Sequence, residues 1–306
     1  MVHMNQWDAD INITDAMVCE LIESQFPDLA GLRIRQIGEG WDNAVYQVGD
    51  RYTFRFPRRS FAVELLRTEG RLLPLLRDYI TLPYPEPVFY GLESEAYPFP
   101  FLGYTYIPGT FPVGLTDEQR RLSAASLGSF LRKLHSFPVG TAREARVSED
   151  HRNLTDVTSR KMKMVDILSS LKPHLPREEH DAIQKYLDHC VTVDRITPQE
   201  VMLHGDLHFK NMLADERGQI SGVIDWGDLN VGHPGCDLNI AYSFLGPAER
   251  QLFFEQYGEV DEETRLLARL IGVFIPMLLL AQAVQIQDAG VAEEARASIR
   301  RALSGD

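Results

Sequence analysis

The chain has 306 residues, enough for one large domain or for two lobes of ordinary size. Apolar residues make up 44% of the chain and charged residues 25%, which is typical of a folded, water-soluble protein and excludes the disordered, collagen-like and coiled-coil classes. The formal net charge is −13 and no block of Lys and Arg could follow a phosphate backbone, so we expect no nucleic-acid partner and favour a cationic or neutral small molecule.

The cysteines indicate a reducing compartment. Cys19, Cys190 and Cys236 are odd in number and form no C-x-x-C pair, so we expect three free thiols and a cytoplasmic protein. The first eight residues carry no basic region followed by an apolar stretch, which predicts no secretory signal. The longest apolar run, Leu270 to Val284, is interrupted by Pro276 and is shorter than a membrane span, so it predicts a buried helix and no membrane partner.

In chain order, the first third alternates short strands with turns. Apolar alternation predicts strands over Leu32 to Ile37, Ala44 to Val48 and Tyr52 to Phe56. In the third of these strands the aromatic residues share one face, so Arg55 points to the other. Apolar residues at helical spacing then predict a helix from Phe61 to Leu76, and Glu69 lies within its apolar stripe.

A further strand-like stretch, Phe99 to Ile107, ends at Pro108-Gly109, where we place the boundary between two lobes, 1–107 and 108–306. The second lobe is mainly helical, with helices predicted over 116–134 and 177–193. One β-rich segment, 201–224, interrupts it, with a turn at 215–218. The expected class is α+β, with a small β-rich N-terminal lobe and a larger helical C-terminal lobe.

The chemistry is concentrated around that hairpin. Asp206 and Asn211 have the D-L-x-x-x-N spacing of a kinase catalytic loop, and Asp225-Trp226-Gly227 stands where a kinase has D-F-G. A hairpin closed at 215–218 pairs residues whose numbers sum to about 433, which would set Asp225 opposite His208. One end of the hairpin then gathers all three polar residues.

These residue types suit phosphoryl transfer. Mg²⁺ prefers oxygen ligands, so Asp225 and the side-chain carbonyl of Asn211 are candidate metal ligands. The carboxylate of Asp206 is the candidate base, because a carboxylate in line with a γ-phosphate can orient a hydroxyl and accept its proton. In the first lobe, Gly38 and Gly40 stand in a turn where glycine would let the backbone approach phosphates.

After these glycines come Arg55 on a strand and Glu69 on a helix, in the order of a kinase's phosphate-contacting cation and its carboxylate partner. The chain as a whole resembles the aminoglycoside phosphotransferase family, including its macrolide phosphotransferase relatives. The resemblance covers nearly the whole length and rests on five segments: Gly38 to Tyr46, Phe54 to Arg59, Leu134-His135, His204 to Leu213, and Ile224 to Asp237.

This resemblance implies a protein-kinase-like fold and transfer of the γ-phosphate of ATP or GTP to a hydroxyl of a small molecule. It also implies that Asp206 is the base, Asn211 and Asp225 hold Mg²⁺, and His204 and Asp237 support the loop. A nucleotide-contacting hinge near 106–109 would include Ile107, and its geometry leaves ATP versus GTP open. The expected enzyme is a monomer.

The sequence leaves the acceptor open. Arg55 replaces the Lys of many members, and with Pro57-Arg58-Arg59 it resembles the macrolide branch more than the aminoglycoside branch. The net charge suits a cationic antibiotic, to which carboxylates such as Asp228 could contribute. A kinase for an amino alcohol or sugar carries the same motifs. Two further alternatives are a non-catalytic kinase-like binding module and a metal hydrolase whose ligands would come from this set: His204, Asp206, His208, His233 and Asp237.

Overall fold

The computed structural model describes four ranges of the chain: 10–40, 42–150, 152–189 and 196–305. The described residues form two compact units. Unit 1 contains the residues up to Asp78 together with Tyr84–Ile107, and unit 2 contains Tyr79–Pro83 together with the residues from Pro108 onward. The sequence predicts residues 79–83 to lie in the first lobe, but in the structure they group with the second unit. Cys190 lies outside the described residues, and so do positions 190–193 of the predicted helix 177–193.

Unit 1 is built on an antiparallel sheet with the strand order β1-β2-β3-β5-β4. Its strands are β1 Ile34–Glu39, β2 Asn43–Val48, β3 Tyr52–Pro57, β4 Pro87–Gly91 and β5 Phe101–Thr105. The helices of this unit are α1 Asp15–Gln25 and α2 Ser60–Leu72. The three predicted strands at 32–56 are confirmed within two residues, and the α+β class is confirmed.

Aromatic residues form the core of unit 1. Phe54 and Phe56 on β3 are fully buried, and Phe56 stacks on Phe101 of β5 with ring centroids 4.6 Å apart. Alternation along β3 turns the intervening Arg55 to the opposite face, as predicted. The predicted helix 61–76 was too long, because it ends at Leu72 and Pro74 cannot continue it.

Unit 2 is mainly helical. Its helices are α3 Asp117–His135, α4 Val139–Glu144, α5 Val157–Leu171, α6 Arg177–His189, α7 Gly235–Leu238, α8 Ile240–Ser243, α9 Pro247–Tyr257, α10 Glu262–Ile286 and α11 Ala289–Leu303. The short strands are β6 Ser148–Glu149, β7 Val201–Leu203, β8 Met212–Ala214, β9 Ile220–Val223 and β10 Asn230–Gly232. They form a small sheet, β6-β10-β7, and the hairpin β8-β9.

Two helices of unit 2 show how the sequence specifies the fold. The Thr116 hydroxyl accepts a hydrogen bond from the Gln119 N–H, and the Gln119 side chain bonds back to the Thr116 N–H, a capping box that begins α3 where predicted. Helix α10 contains the apolar run and Pro276. By length and composition α10 could cross a membrane, but 72% of its apolar window is buried in the structure, so it serves as a core helix.

Candidate active site

The hairpin β8-β9 sets Asn211 beside the residues that precede Asp225. Asn211 comes directly before β8, and the Ile224 N–H, directly after β9, donates to the Asn211 carbonyl at 2.9 Å. The next residue, Asp225, has its side chain exposed and a left-handed backbone with φ 61°. A left-handed non-glycine residue is uncommon, and such residues often lie at functional sites.

The predicted register of this hairpin was wrong by two. Met212 pairs with Val223, so residue numbers sum to 435 rather than 433. The turn extends to Gln219, since the Asp215 carboxylate accepts the N–H groups of Arg217 and Gln219, and a bulge after Leu213 adds a further residue. In the observed register, the end of β9 that leads to Asp225 lies nearer to Asn211 and farther from His208 than predicted.

Asp206 and Asn211 are in direct contact. The Asn211 side-chain nitrogen donates to the Asp206 carbonyl at 2.8 Å and to the Asp206 carboxylate at 3.2 Å. These bonds fix the amide so that its Oδ1, the atom suited to a metal, is not the atom that faces Asp206. Asn211 is buried, whereas 22% of the Asp206 side chain is exposed, so the carboxylate is accessible from solvent.

Two basic side chains surround the Asp206 carboxylate. Arg152 donates to its Oδ1 at 2.6 Å, and His208 Nε2 lies 3.4 Å from its Oδ2. Burial alone would raise the pKa of Asp206, but His208 and Arg152 together hold it well below its ordinary value. The carboxylate is therefore ionised at neutral pH, which is the form a proton acceptor needs.

His204 joins the Asp206 loop to the segment that leads into Asp225. Its Nδ1 accepts from the Asp206 N–H at 3.3 Å, and its Nε2 lies 3.1 Å from the Ile224 carbonyl, to which it donates in that tautomer. The imidazole is fully buried and packs against Trp226, with ring centroids 4.7 Å apart. Both ring nitrogens are hydrogen-bonded to the backbone. The hydrolase alternative requires a free His204 nitrogen as a metal ligand, and this ring has none.

Asp237 binds the backbone of the loop that precedes Asp206. Its carboxylate accepts the His204 N–H at 2.7 Å and the Gly205 N–H at 3.1 Å, and His135 Nε2 lies 3.4 Å from it. The His135 ring is in turn bonded to the Tyr257 hydroxyl at 2.8 Å. The His135 and Asp237 side chains are buried, and these bonds satisfy polar atoms that would otherwise be costly to bury. Asp237 thus makes the contacts expected of a residue that supports the loop.

Gly205, the residue before Asp206, has a left-handed backbone with φ 86°. A Cβ atom there would overlap the Asp228 carbonyl oxygen and the Asn230 side-chain amide. Only glycine fits at this point. Asp228 itself, a candidate acceptor contact, is bound through its carboxylate to Arg152 at 2.7 Å.

In unit 1 the predicted ion pair is present. Arg55 on β3 donates to both carboxylate oxygens of Glu69 on α2, at 3.0 and 3.2 Å. Glu69 is 2% exposed and Arg55 is 17% exposed. A carboxylate this deeply buried requires such a partner, and the two bonds, both from one terminal nitrogen of Arg55, fix that end of the guanidinium.

The remaining predicted nucleotide residues also lie in unit 1. The Gly40 N–H donates to the Asn43 carbonyl at 2.9 Å. Neither Gly38 nor Gly40 has a left-handed backbone, and a Cβ at either would approach its neighbours no closer than 3.8 Å. The fold of this unit therefore does not itself require glycine at these two positions. Ile107, half-buried, is the last residue of the unit.

Arg152 is a site residue that the sequence does not predict. It lies in a loop between β6 and α5 that carries no motif, more than fifty residues before Asp206, and no sequence signal indicates the contact. Within the described ranges, no group of three or more His, Cys, Asp or Glu side chains could hold a metal ion. A magnesium site needs fewer protein ligands, because phosphate and water oxygens complete its octahedron.

The chain is similar to a known enzyme family over most of its length. The model of the phosphotransferase enzyme family matches residues 33–270. The uncharacterized protein YcbJ of Bacillus subtilis (strain 168) is 27% identical over 225 residues, 68% of each chain.

Solved structures are similar to this chain over nearly its whole length. The GDP and kanamycin complex of APH(2")-IIIa is 26% identical, with a TM-score of 0.64 over 93% of this chain and 97% of that one. The macrolide 2'-phosphotransferase MphH from Brachybacterium faecium, at 22% identity, shares the fold, with a TM-score of 0.59 over 94% of this chain and 98% of that one. The chain belongs to the phosphotransferase enzyme family, and is a small-molecule kinase.

Proposed function

We propose that this kinase transfers the γ-phosphoryl group of ATP or GTP to a hydroxyl of a small polar antibiotic, with Asp206 as the base. The observation that carries the proposal is the Asp206 and Asn211 contact, with the Asp225 segment bonded to Asn211 by the Ile224 N–H. Phosphoryl transfer requires little covalent participation by the protein, and depends on positioned groups and charge of this kind.

Asp206 would orient the acceptor hydroxyl and take its proton. The carboxylate is ionised, because the pKa of Asp206 lies well below its ordinary value, and it is partly exposed to an approaching acceptor. A carboxylate this weakly basic cannot remove a proton from an alcohol before bond formation begins. Its contribution is to orient the hydroxyl and receive the proton as the oxygen gains positive character.

Asn211 and Asp225 fit a magnesium ion. Both supply oxygen, the ligand type that Mg²⁺ prefers, and the Asn211 amide is fixed by its bonds to Asp206. When bound, the ion supplies positive charge that neutralises the phosphate oxygens of the nucleotide.

Unit 1 would bind the nucleotide phosphates. The Arg55 guanidinium, held by Glu69, is a cation suited to phosphate oxygens. No other atom of the described chain fills the space where a Cβ of Gly38 or Gly40 would lie. Phosphates could therefore approach the backbone closely at these two glycines. The structural neighbour APH(2")-IIIa has been solved with GDP, which supports a nucleotide donor. Ile107 would contact the nucleobase.

For the acceptor we favour an aminoglycoside or a macrolide. The kanamycin complex of APH(2")-IIIa and the net charge of −13 support a cationic antibiotic. The alternative is a kinase for an amino alcohol or sugar. The free thiols of Cys19 and Cys236, among the described residues, suit a cytoplasmic enzyme. We expect the enzyme to act as a monomer.

A coupled nucleotide-turnover assay with Mg²⁺ tests the proposal. ATP and GTP are supplied in turn with a panel of aminoglycosides, macrolides, amino alcohols and sugars. Asp206→Asn should reduce acceptor-dependent turnover at least about 100-fold with little change in nucleotide binding. The matched control is Glu216→Gln, an exposed residue in the turn of the same hairpin, which should keep full turnover.

Each outcome of this assay is informative. Turnover with an antibiotic only would support the antibiotic acceptor, and turnover with an amino alcohol or sugar only would favour the alternative. Full activity of the Asp206→Asn enzyme would overturn the role assigned to Asp206. Absence of Mg-nucleotide binding by the native protein would remove the kinase assignment of the site.

A further inference from the structure

Arg152 bridges the candidate base and a second carboxylate. One terminal nitrogen of its guanidinium donates to Asp206 Oδ1 at 2.6 Å, and the other lies 2.7 Å from Asp228 Oδ2. The first nitrogen also approaches the Gly205 carbonyl at 3.4 Å. The three side chains are each 22 to 29% exposed, so solvent reaches the bridge and the Asp206 carboxylate.

The loop that carries Arg152 is built to hold it there. The Asp150 carboxylate accepts the N–H groups of Arg152 and Leu154, at 3.0 and 2.9 Å. The buried Arg160 donates to the carbonyls of Arg152 and Asn153, at 2.7 and 3.0 Å. The backbone on both sides of the Arg152 side chain is thus fixed by charged partners, unlike that of an arginine on a free surface loop.

The bridge changes what kind of group can bind next to the reacting hydroxyl. Without Arg152, Asp206 and Asp228 would form a pair of carboxylates, a favourable site for an ammonium group of the acceptor. With Arg152 between them, that place already holds a cation, and a second cation would meet a guanidinium at contact distance. An uncharged hydroxyl or amide oxygen can instead accept from an arginine, which has five N–H donors.

We propose that Arg152 is a specificity-determining residue, which by bridging Asp206 and Asp228 excludes an ammonium group beside the phosphorylated hydroxyl and selects an acceptor that is uncharged there. This inference rests on the proposed function, because it takes Asp206 as the group that receives the acceptor. It limits the charge only next to the reacting hydroxyl. Amines elsewhere on an acceptor meet the acidic surface of the protein and are not excluded.

Acceptor pairs that differ in one charge test the proposal. Kanamycin is compared with kanamycin N-acetylated at the amine next to the phosphorylated hydroxyl, and glucosamine with N-acetylglucosamine. The turnover assay gives, for each pair, the ratio of kcat/KM, uncharged member over charged member. For any pair that is turned over, the native enzyme should give a ratio above about 10. Arg152→Gln should lower this ratio at least 10-fold, mainly through KM for the charged member, and Arg152→Lys, which keeps the cation, should restore it.

The matched control is Arg143→Gln. Arg143 also bridges two carboxylates, those of Glu149 and Glu200, but all three side chains are 45 to 61% exposed and none belongs to the site. A loss of fold or of general stability would act on both members of an acceptor pair, so the ratio separates specificity from structure. If Arg152→Gln does not fold, the ratio of the native enzyme alone decides, since a native preference for the charged member overturns the proposal.

A binding measurement keeps the test independent of turnover. Calorimetric titration without nucleotide gives the ratio of affinities for the two members of each acceptor pair. Arg152→Gln should lower the native preference for the uncharged member at least 10-fold, and Arg143→Gln should leave it unchanged. An unchanged preference in Arg152→Gln would overturn the exclusion. Failure of every acceptor to be turned over would count against the proposed function, and the calorimetric titration would still decide the role of Arg152.

Discussion

Gly205→Ala offers a sharp test of the geometry around the candidate base. Two costs add at this position. A left-handed backbone costs an alanine about 1 kcal/mol more than a glycine. The new Cβ would also overlap the Asp228 carbonyl, a backbone atom that cannot rotate away, and forced overpacking of this kind costs about 1 to 3 kcal/mol. We expect the free energy of unfolding to fall by about 2 to 4 kcal/mol.

A matched control separates these two costs. Gly114, in the same unit, has a φ of 70°, and a Cβ there would meet nothing within 4 Å. Gly114→Ala should therefore carry the backbone cost alone, about 1 kcal/mol. Denaturant unfolding of both variants measures the difference, and nucleotide turnover should fall only in Gly205→Ala, because the displaced chain carries Asp206. Equal destabilisation of the two variants would show that the close approach to Asp228 is not a constraint.

Further predictions concern two buried carboxylates. Glu69→Gln should raise KM for the nucleotide at least about 10-fold, since Arg55 loses the partner that directs it, whereas Glu64→Gln on the exposed face of the same helix should leave KM unchanged. In unit 2, Glu294 is 2% exposed and binds the buried Arg120 at 2.8 Å, so Glu294→Gln should lower the free energy of unfolding by about 3 to 5 kcal/mol in a denaturant titration. A loss of less than about 1 kcal/mol in Glu294→Gln would refute the role given to the buried ion pair with Arg120.

The extent of sequence prediction differs between residues for physical reasons. The Arg55 and Glu69 contact could be predicted, because two periodicities, that of a strand and that of a helix, each fix the side of the element on which a side chain lies. The hairpin register could not be predicted, since the five-residue turn depends on hydrogen bonds to the Asp215 carboxylate, and neither these bonds nor the bulge are revealed by spacing. Arg152 could not be predicted because its partners are remote in sequence, and only the folded chain brings them together.

Other elements escaped prediction because their signals are weak. Helix α1 is short and β4 has exposed apolar residues on its outer face, so neither shows a clear periodicity. The buried face of helix α11 consists largely of alanine and serine, so its sequence resembles that of a polar segment. Each of these elements is fixed mainly by its tertiary neighbours rather than by its own sequence.

The double attachment of His204 has a mechanical consequence. One imidazole ring, a few ångströms wide and unable to stretch, joins the backbone of Asp206 to that of Ile224, the residue before Asp225. The segments that carry the candidate base and the candidate metal ligand are therefore tied to move as one body. A motion that displaced one segment alone would break the bond between His204 and that segment. The arrangement is therefore expected to open cooperatively, in one step, rather than to distort gradually.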